Sequence, residues 1–458
     1  MQEVDTETAT ADRDLAAALV EAARAAGAAE ADVIVASATA ASVGVAAREL
    51  EEAERAETRE AGLRVIVDTE AGRAQACVAG SDLRIEALRE MATRAVAMAR
   101  VAPPDPYCGL ASSEMLSEHR DADALDLEDP DPVLSPEALE ETALAIEAAS
   151  LAVEGVVQVS EASVSWSRER LTMAQSNGFI GAYGRSATTL GVTAIAGAGL
   201  GRERDYAVET RRHRADLPSA ESIGRLAGER TIARLNPKRP PAGTVPVILD
   251  ERVAASLIGH VMSAANGASV ARGSSWLDGR LGERVLPEGV DVIEEPLIPR
   301  GRASRPFDAE GLPALRRAMI TDGVLERWVL DLASARQLGL ESTGNARRGL
   351  GGPPSPGLSN LRMTAGTTDA AGFAREVGTG FLVTSFIGAS INPTTGAYSR
   401  GASGFWIEGG EIAYPVNEVT LAGSLPEIVA TIVPGNDADP AKAVSVPSLL
   451  VEGLTLGA

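Results

Sequence analysis

Residues 398–423, YSRGASGFWIEGGEIAYPVNEVTLAG, lie in the stretch that decides the fold class. They read as extended chain. In a strand, side chains alternate between faces, so Arg400, Trp406 and Glu408 fall on one side by parity. Gly401-Ala402-Ser403-Gly404 is the nearest approach to the G-x-S-x-G turn that exposes a nucleophilic serine. It is one residue short and sits among strands, so small residues in a tight bend are the reading. The surrounding region, from VPVILD at 245–250 to VPSLLVEGLTLG at 446–457, consists of short apolar runs punctuated by glycine. That pattern predicts a mainly β C-terminal domain over 241–458, sandwich or barrel-like, with one helix near 251–265. RRGLGGPPSPG at 347–357 reads as a mobile loop, with a binding flap as the alternative.

Working outward toward the N-terminus, the chain alternates helix and strand patterns. Residues 13–27 have helical apolar spacing and stop at Gly27; 32–39 and 63–68 are β-branched and alternating, and 63–68 forms a hairpin with a strand near 74–78. Residues 82–101 form a second amphipathic helix. These elements make an N-terminal α+β domain over 1–102. An acidic, proline-containing linker follows at 103–135; DADALDLEDPDP at 121–132 holds six acids and two prolines and reads as exposed. A central α+β domain over 136–240 comes next. Ser135 and Pro136 start a helix over 137–152, strands are expected at 156–166, 169–175, 179–197 and 203–211, and a helix at 218–234 ends in NPKRPPAG. The fold class is therefore α+β, with helices packed on antiparallel strands in the N-terminal region.

At 458 residues the chain requires more than one core. Its mean hydropathy is near zero, and no apolar run approaches the ~18 residues of a membrane span. The N-terminus lacks the pattern of a secretory signal, so a cytoplasmic protein is expected. Cys77 and Cys108 are too few for a disulfide framework and read as free thiols. Residues 1–150 carry 32 acids against 12 bases, whereas the remainder is nearly balanced at 32 and 30. That acidic half repels a phosphate backbone, and fifteen aromatics in the whole chain leave little for stacking bases; no nucleic-acid partner is expected.

Catalytic motifs are equally scarce. The only histidines, His119, His213 and His260, are separated by 94 and 47 residues, and no HExxH occurs. With only Lys238 and Lys442, neither behind the required glycines, there is no Walker A loop.

Several ordered segments closely resemble the TldD/TldE (PmbA) peptidase family. Besides 398–423 they are SNGFIGAYGRSATTLG (176–191), RERDYAVE (202–209), ASLIGHVMSAANGASVARGSSWL (255–277), RPFDAEG (305–311) and SARQLGLESTGNA (334–346). The resemblance implies heterodimers in which the TldD branch carries HExxxH on a helix, two histidines holding zinc, a glutamate acting as base and a cysteine near the C-terminus completing the site. Laid on this chain, the motif puts Gly259 at the first ligand, His260 at the glutamate and Ala264 at the second ligand, and no cysteine lies near the C-terminus. Neither glycine nor alanine has a side chain that can bind metal. The resemblance is thus to the TldE/PmbA branch, with neither a catalytic nor a metal-ligating residue of its own.

What the resemblance implies is a non-catalytic subunit of a cytoplasmic zinc metallopeptidase that handles extended, unfolded or modified peptides, with a TldD-like partner supplying zinc and hydrolysis. His260 is expected either to pack or to line a shared peptide channel. Arg400, Ser403, Trp406 and Glu408 are expected to form a packed cluster or to contact partner or peptide. The alternative, following the family's older label, is a regulatory protein acting on DNA gyrase without proteolysis.

Overall fold

The computed structural model describes residues 2–131 and 133–457. The chain opens with α1 (Gln2–Ala25), β1 (Glu30–Ala46), β2 (Glu49–Thr69), β3 (Gly72–Gly80) and α2 (Ile85–Val101). After the acidic stretch come α3 (Pro136–Leu151), β4 (Val156–Gln175), β5 (Ile180–Ala196), β6 (Glu203–Arg211) and α4 (Ala220–Ala233). All six strands belong to one antiparallel sheet in the order β3-β2-β1-β4-β5-β6. β1 and β4 pair without interruption from Asp32↔Gln175 to Val45↔Ala162. The two α+β units expected from the sequence are thus the halves of a single sheet, joined by main-chain hydrogen bonds.

One face of that sheet is covered by helices. Val33 and Val35 of β1 pack under α1 and α2, beside Leu19, Met91 and Val96. Val43 and Val45 share their parity and pack under α3 and α4, beside Leu139, Ile146 and Ile223. Local signals set the helix starts: the Ser135 hydroxyl accepts from Ala138 N with Pro136 in the first turn, and the Ser219 hydroxyl accepts from Ser222 N. The β1–β2 turn has Ala47 and Arg48 at φ 52° and 64°, a conformation that favours glycine or asparagine. Here the buried Glu147 carboxylate of α3 accepts from Arg48 N at 3.1 and 3.2 Å, which helps hold the turn.

The C-terminal domain is built from two sheets. The short strands are β7 (Gly243–Thr244), β8 (Val247–Leu249), β9 (Val292–Glu294), β10 (Arg317–Thr321), β11 (Val324–Leu325), β12 (Ala346–Arg347), β13 (Ser355–Pro356) and β14 (Leu361–Met363). Longer ones follow in β15 (Gly380–Ile391), β16 (Ala397–Glu408) and β17 (Glu411–Ser424), then β18 (Val433–Pro434), β19 (Val444–Ser445), β20 (Leu449–Val451) and β21 (Thr455–Gly457). Eight form the sheet β18-β20-β8-β15-β16-β17-β21-β7 and five the sheet β11-β10-β9-β14-β19; β12 and β13 pair separately. The helix α5 (Glu251–Ala264) shares one core with both sheets, in which Val292, Met319 and Leu361 meet Phe381, Ala402, Trp406 and Ile258. The β-rich expectation for this region therefore describes what forms, but the one helix expected near 251–265 is joined by short helices at Gly267–Ala271, Leu332–Leu338, Ala370–Val377 and Leu425–Val429.

Two sequence expectations are corrected. The stretch 121–132 is not an exposed linker along its described residues (Pro132 lies outside them). Leu125 and Leu127 are buried against Tyr183, and Asp129 accepts from the backbone of Asp131 and Arg214. Apolar residues interleaved among the acids supply a buried edge, and Arg300 meets Asp126 at 2.6 Å. The 347–357 loop is likewise anchored. The Arg348 side chain is wholly buried and ion-paired with Asp32, and a Cβ on Gly62 of β2 would stand 2.3 Å from the Leu350 carbonyl oxygen, so the loop lies directly on the sheet.

Asp32 is thus shared by Arg348 and by Arg64, whose Nε donates at 2.5 Å, and all three side chains are buried. Asp32→Ala leaves two buried guanidiniums without their common carboxylate. A loss of about 3–5 kcal/mol is expected in urea unfolding; a loss under about 1 kcal/mol would show that the triad is not holding the domains.

Candidate functional site

α5 starts at Asp250, whose carboxylate accepts from Arg252 N at 3.0 Å, and it buries Val253, Leu257, Ile258 and Val261. Ser256, Gly259, His260 and Ser263 turn away from that core at helical spacing. Beside Gly259 the space is open: nothing lies within 4 Å of where a Cβ would stand. Ala264 instead points into the core and is only 6 % exposed. The two positions lie about 140° apart on a regular helix, and α5 does not bring them together. These residues do not fit a zinc ion, and among the described residues no group of three or more His, Cys, Asp or Glu is placed to hold a metal.

His260 heads a small polar cluster. Its Nε2 is buried and has no hydrogen-bond partner among the described residues, and its ring meets that of Tyr398 edge-on at 6.1 Å. Burial, and then the nearby Arg400 charge, hold the imidazole below its usual 6.5, which keeps it neutral at pH 7. Burial also pushes the Tyr398 hydroxyl up to about 12. Arg400 donates from Nε to the Gly388 carbonyl at 3.1 Å and from Nη1 to Ser256 Oγ at 3.4 Å, and lies 4.1 Å from the centre of the Phe386 ring. Next to this cluster β15 has a free edge. Among the described residues it pairs with β8 only over Phe381–Val383, and beyond that only β16 joins it. Ile387 there is 58 % exposed.

Sequence parity placed Arg400 and Trp406 on one face, and the structure agrees: Trp406, Ala402 and Tyr398 share the core that α5 packs against. It does not bring the expected residues into one site. Six residues of strand separate Arg400 from Trp406 by about 20 Å. Trp406 Nε1 donates to Glu408 at 3.0 Å in a separate pair at the strand end. Ser403 faces the other way. Its hydroxyl donates to Asn417 Oδ1 at 2.5 Å, and Asn417 Nδ2 donates to Glu203 of the N-terminal sheet at 3.1 and 3.2 Å. The bonding of Ser403 is therefore a domain contact. Tyr398, Ser256 and Phe386 complete the His260 cluster and were not singled out from the sequence. Tyr398 shares the parity of Arg400, but nothing in the sequence points from Phe386 to α5.

This geometry has relatives. The model for the PmbA/TldA metallopeptidase C-terminal domain matches residues 242–458, the central-domain model 129–235, and the domain 1 model 31–99. Metalloprotease PmbA of Escherichia coli O157:H7 is 37% identical over 372 residues, covering 81% of this chain and 80% of the relative. The chain belongs to the PmbA/TldD metallopeptidase family. The Metalloprotease PmbA homolog of Haemophilus influenzae is 32% identical over 416 residues, covering 91% of this chain and 89% of the relative. Among solved structures, a Bacteroides thetaiotaomicron protein carrying the name modulator of DNA gyrase superposes with TM-score 0.89 at 26% identity, over 97% of this chain and 98% of that one. TldE from Thermococcus kodakarensis shares the fold, with TM-score 0.82 at 22% identity over 96% and 99% of the two chains.

The depressed imidazole gives a pH signature. Between its folded pKa and the usual 6.5 of the unfolded chain, the unfolded state binds the extra proton, so the folded state loses ground as pH falls. Compared with His260→Gln, the native protein is expected to lose stability steadily from about pH 7 to about pH 5, while the two run parallel above about pH 7. Urea unfolding across that range checks it; a difference that stays constant, or that favours the native protein at low pH, would contradict the burial argument.

Proposed function

We propose that this chain is the non-catalytic subunit of a heterodimeric zinc metallopeptidase, with a TldD-like partner supplying the ion, the base and the hydrolysis. The observation that carries this reading is the side-chain content of α5. The resemblance to the TldD branch sets this helix against the one that carries HExxxH, and the positions that fall on its two ligands are an open glycine and a buried alanine. A peptidase domain that keeps its fold while lacking metal ligands is suited to complete a chamber.

The free edge of β15 suits an extended peptide. Unpaired main-chain groups there can add a strand, which recognises backbone and tolerates varied side chains. The Arg400 guanidinium, bonded to the Gly388 carbonyl of β15, lies beside that edge and can contact the added segment. The substrates on this reading are unfolded or modified peptides, and the complex works in the cytoplasm. No described helix is long and apolar enough to cross a membrane.

Co-expression with a TldD-like chain bearing HExxxH tests the proposal. The two chains are expected to co-purify, and the complex to cleave an unfolded peptide in a reaction that a chelator abolishes, with the isolated chain inactive. Cleavage by the isolated chain, or a failure to associate, would overturn it. Inhibition of gyrase by the isolated chain would instead favour the regulatory reading.

A further inference from the structure

Two adjoining cavities open between the uncovered face of the N-terminal sheet and the loops of the C-terminal domain. One, of about 240 Å³, is walled by Arg185, Arg211, Arg212 and Arg302 with Ser167 and Thr210. The other, of about 230 Å³, shares Arg185 and Arg302 and adds an apolar side formed by Leu171, Tyr183 and Phe307. The arginines come from β5, the end of β6 and the loop after β9, segments that only folding brings together.

The positive charge in the first cavity is not balanced by the acids around it. Glu169 is engaged by Arg185 at 2.6 Å, and Glu209 and Asp439 by Arg211 at 2.6 and 4.0 Å, which leaves Arg212 and Arg302 without a carboxylate among the described residues. Arg212 is only 8 % exposed and is held by main-chain carbonyls, Ser186 O at 2.8 Å and Arg302 O, with its Nε unpartnered. Burial, and then the Arg185 charge, lower its guanidinium to about 10. Arg302 is exposed and has no ion-pair partner among the described residues. Guanidiniums crowded against one another repel unless an anion sits between them, and the free fork of Arg302 matches the two oxygens of a carboxylate, with the buried Arg212 supplying charge and its idle Nε behind it. A phosphate would satisfy the same donors, but not the apolar wall next to them.

We propose that this cleft binds the C-terminal carboxylate of a peptide whose last side chain is apolar. The carboxylate lies between Arg212 and Arg302, and the side chain turns toward Leu171, Tyr183 and Phe307. The inference rests on the peptide-handling role proposed above and adds to it an anchoring point for the free end of the chain, distinct from the β15 edge.

The test is fluorescence anisotropy on the full-length chain with an N-terminally labelled unfolded peptide ending in leucine, as the free acid and as the amide. The acid is expected to bind at least about 10-fold more tightly than the amide. Arg302→Gln is expected to reduce acid binding about 10-fold with Arg302→Lys recovering part of it, while thermal unfolding is unchanged because the side chain is exposed. Equal binding of acid and amide, no effect of Arg302→Gln, or displacement of the peptide by equimolar inorganic phosphate would overturn the proposal. If neither peptide binds while the assembled heterodimer cleaves both, the cleft is misassigned and the subunit role stands. If the chain prefers the acid but no heterodimer forms, the cleft stands without that role.

Discussion

A single buried carboxylate, Asp32, joins the two parts of this protein. It sits on β1, near the middle of the six-stranded sheet, and takes one guanidinium from its own sheet, Arg64, and one from the C-terminal domain, Arg348. Burying an ion triad gains little over apolar packing, but losing one member strands the others in a dry site. The triad thus acts chiefly as a lock on one arrangement. Further contacts repeat the pattern along the same interface. Arg336 donates to the carbonyls of Tyr107, Gly109 and Leu110, Arg252 reaches Asp205, Arg234 donates to Ser385 Oγ, and Asn417 reaches Glu203. The arginine-lined cleft, whose walls come from both domains, exists only because this docking is fixed.

The interface also explains what could be read from the sequence. Helices were legible where apolar spacing and a start signal coincided, as at Ser135–Pro136. Strands were legible where β-branched residues alternate, as over 203–211, which is β6. The outer parts of β1 and β2 were missed, because 40–60 is rich in alanine and glutamate and both faces of Glu49–Glu60 are exposed, so no burial pattern marks them. The single sheet was hidden by the intervening acidic segment, since strand pairing between β1 and β4 leaves no local trace. The loop at 347–357 was misread for a related reason: glycine and proline mark flexibility in isolation, whereas Arg348 finds its partner more than three hundred residues away.

At the candidate site the family resemblance put Gly259 and Ala264 where a TldD-like chain has its ligands, and the structure adds what surrounds them. Gly259 opens onto free space, Ala264 belongs to the core, and His260 is neutral with an idle nitrogen. Arg400 was rightly placed on the face of Trp406, but a strand is long, and parity says nothing of position along it. Ser403 shows the converse: chosen as a contact residue, it is buried and bonded to Asn417, whose amide reaches Glu203 of the N-terminal sheet. The arginines of the cleft were invisible to motif reading because the residues concerned are scattered from 185 to 302 and each is unremarkable in its own segment.

The proposed division of labour has this chain supply surface and a TldD-like partner supply the ion. Metal analysis of the two subunits, separated from a purified, active complex, tests that division most directly. Near-stoichiometric zinc should remain with the partner and only traces with this chain. Stoichiometric zinc retained by this chain, lost together with peptide turnover on dialysis against chelator, would contradict the account.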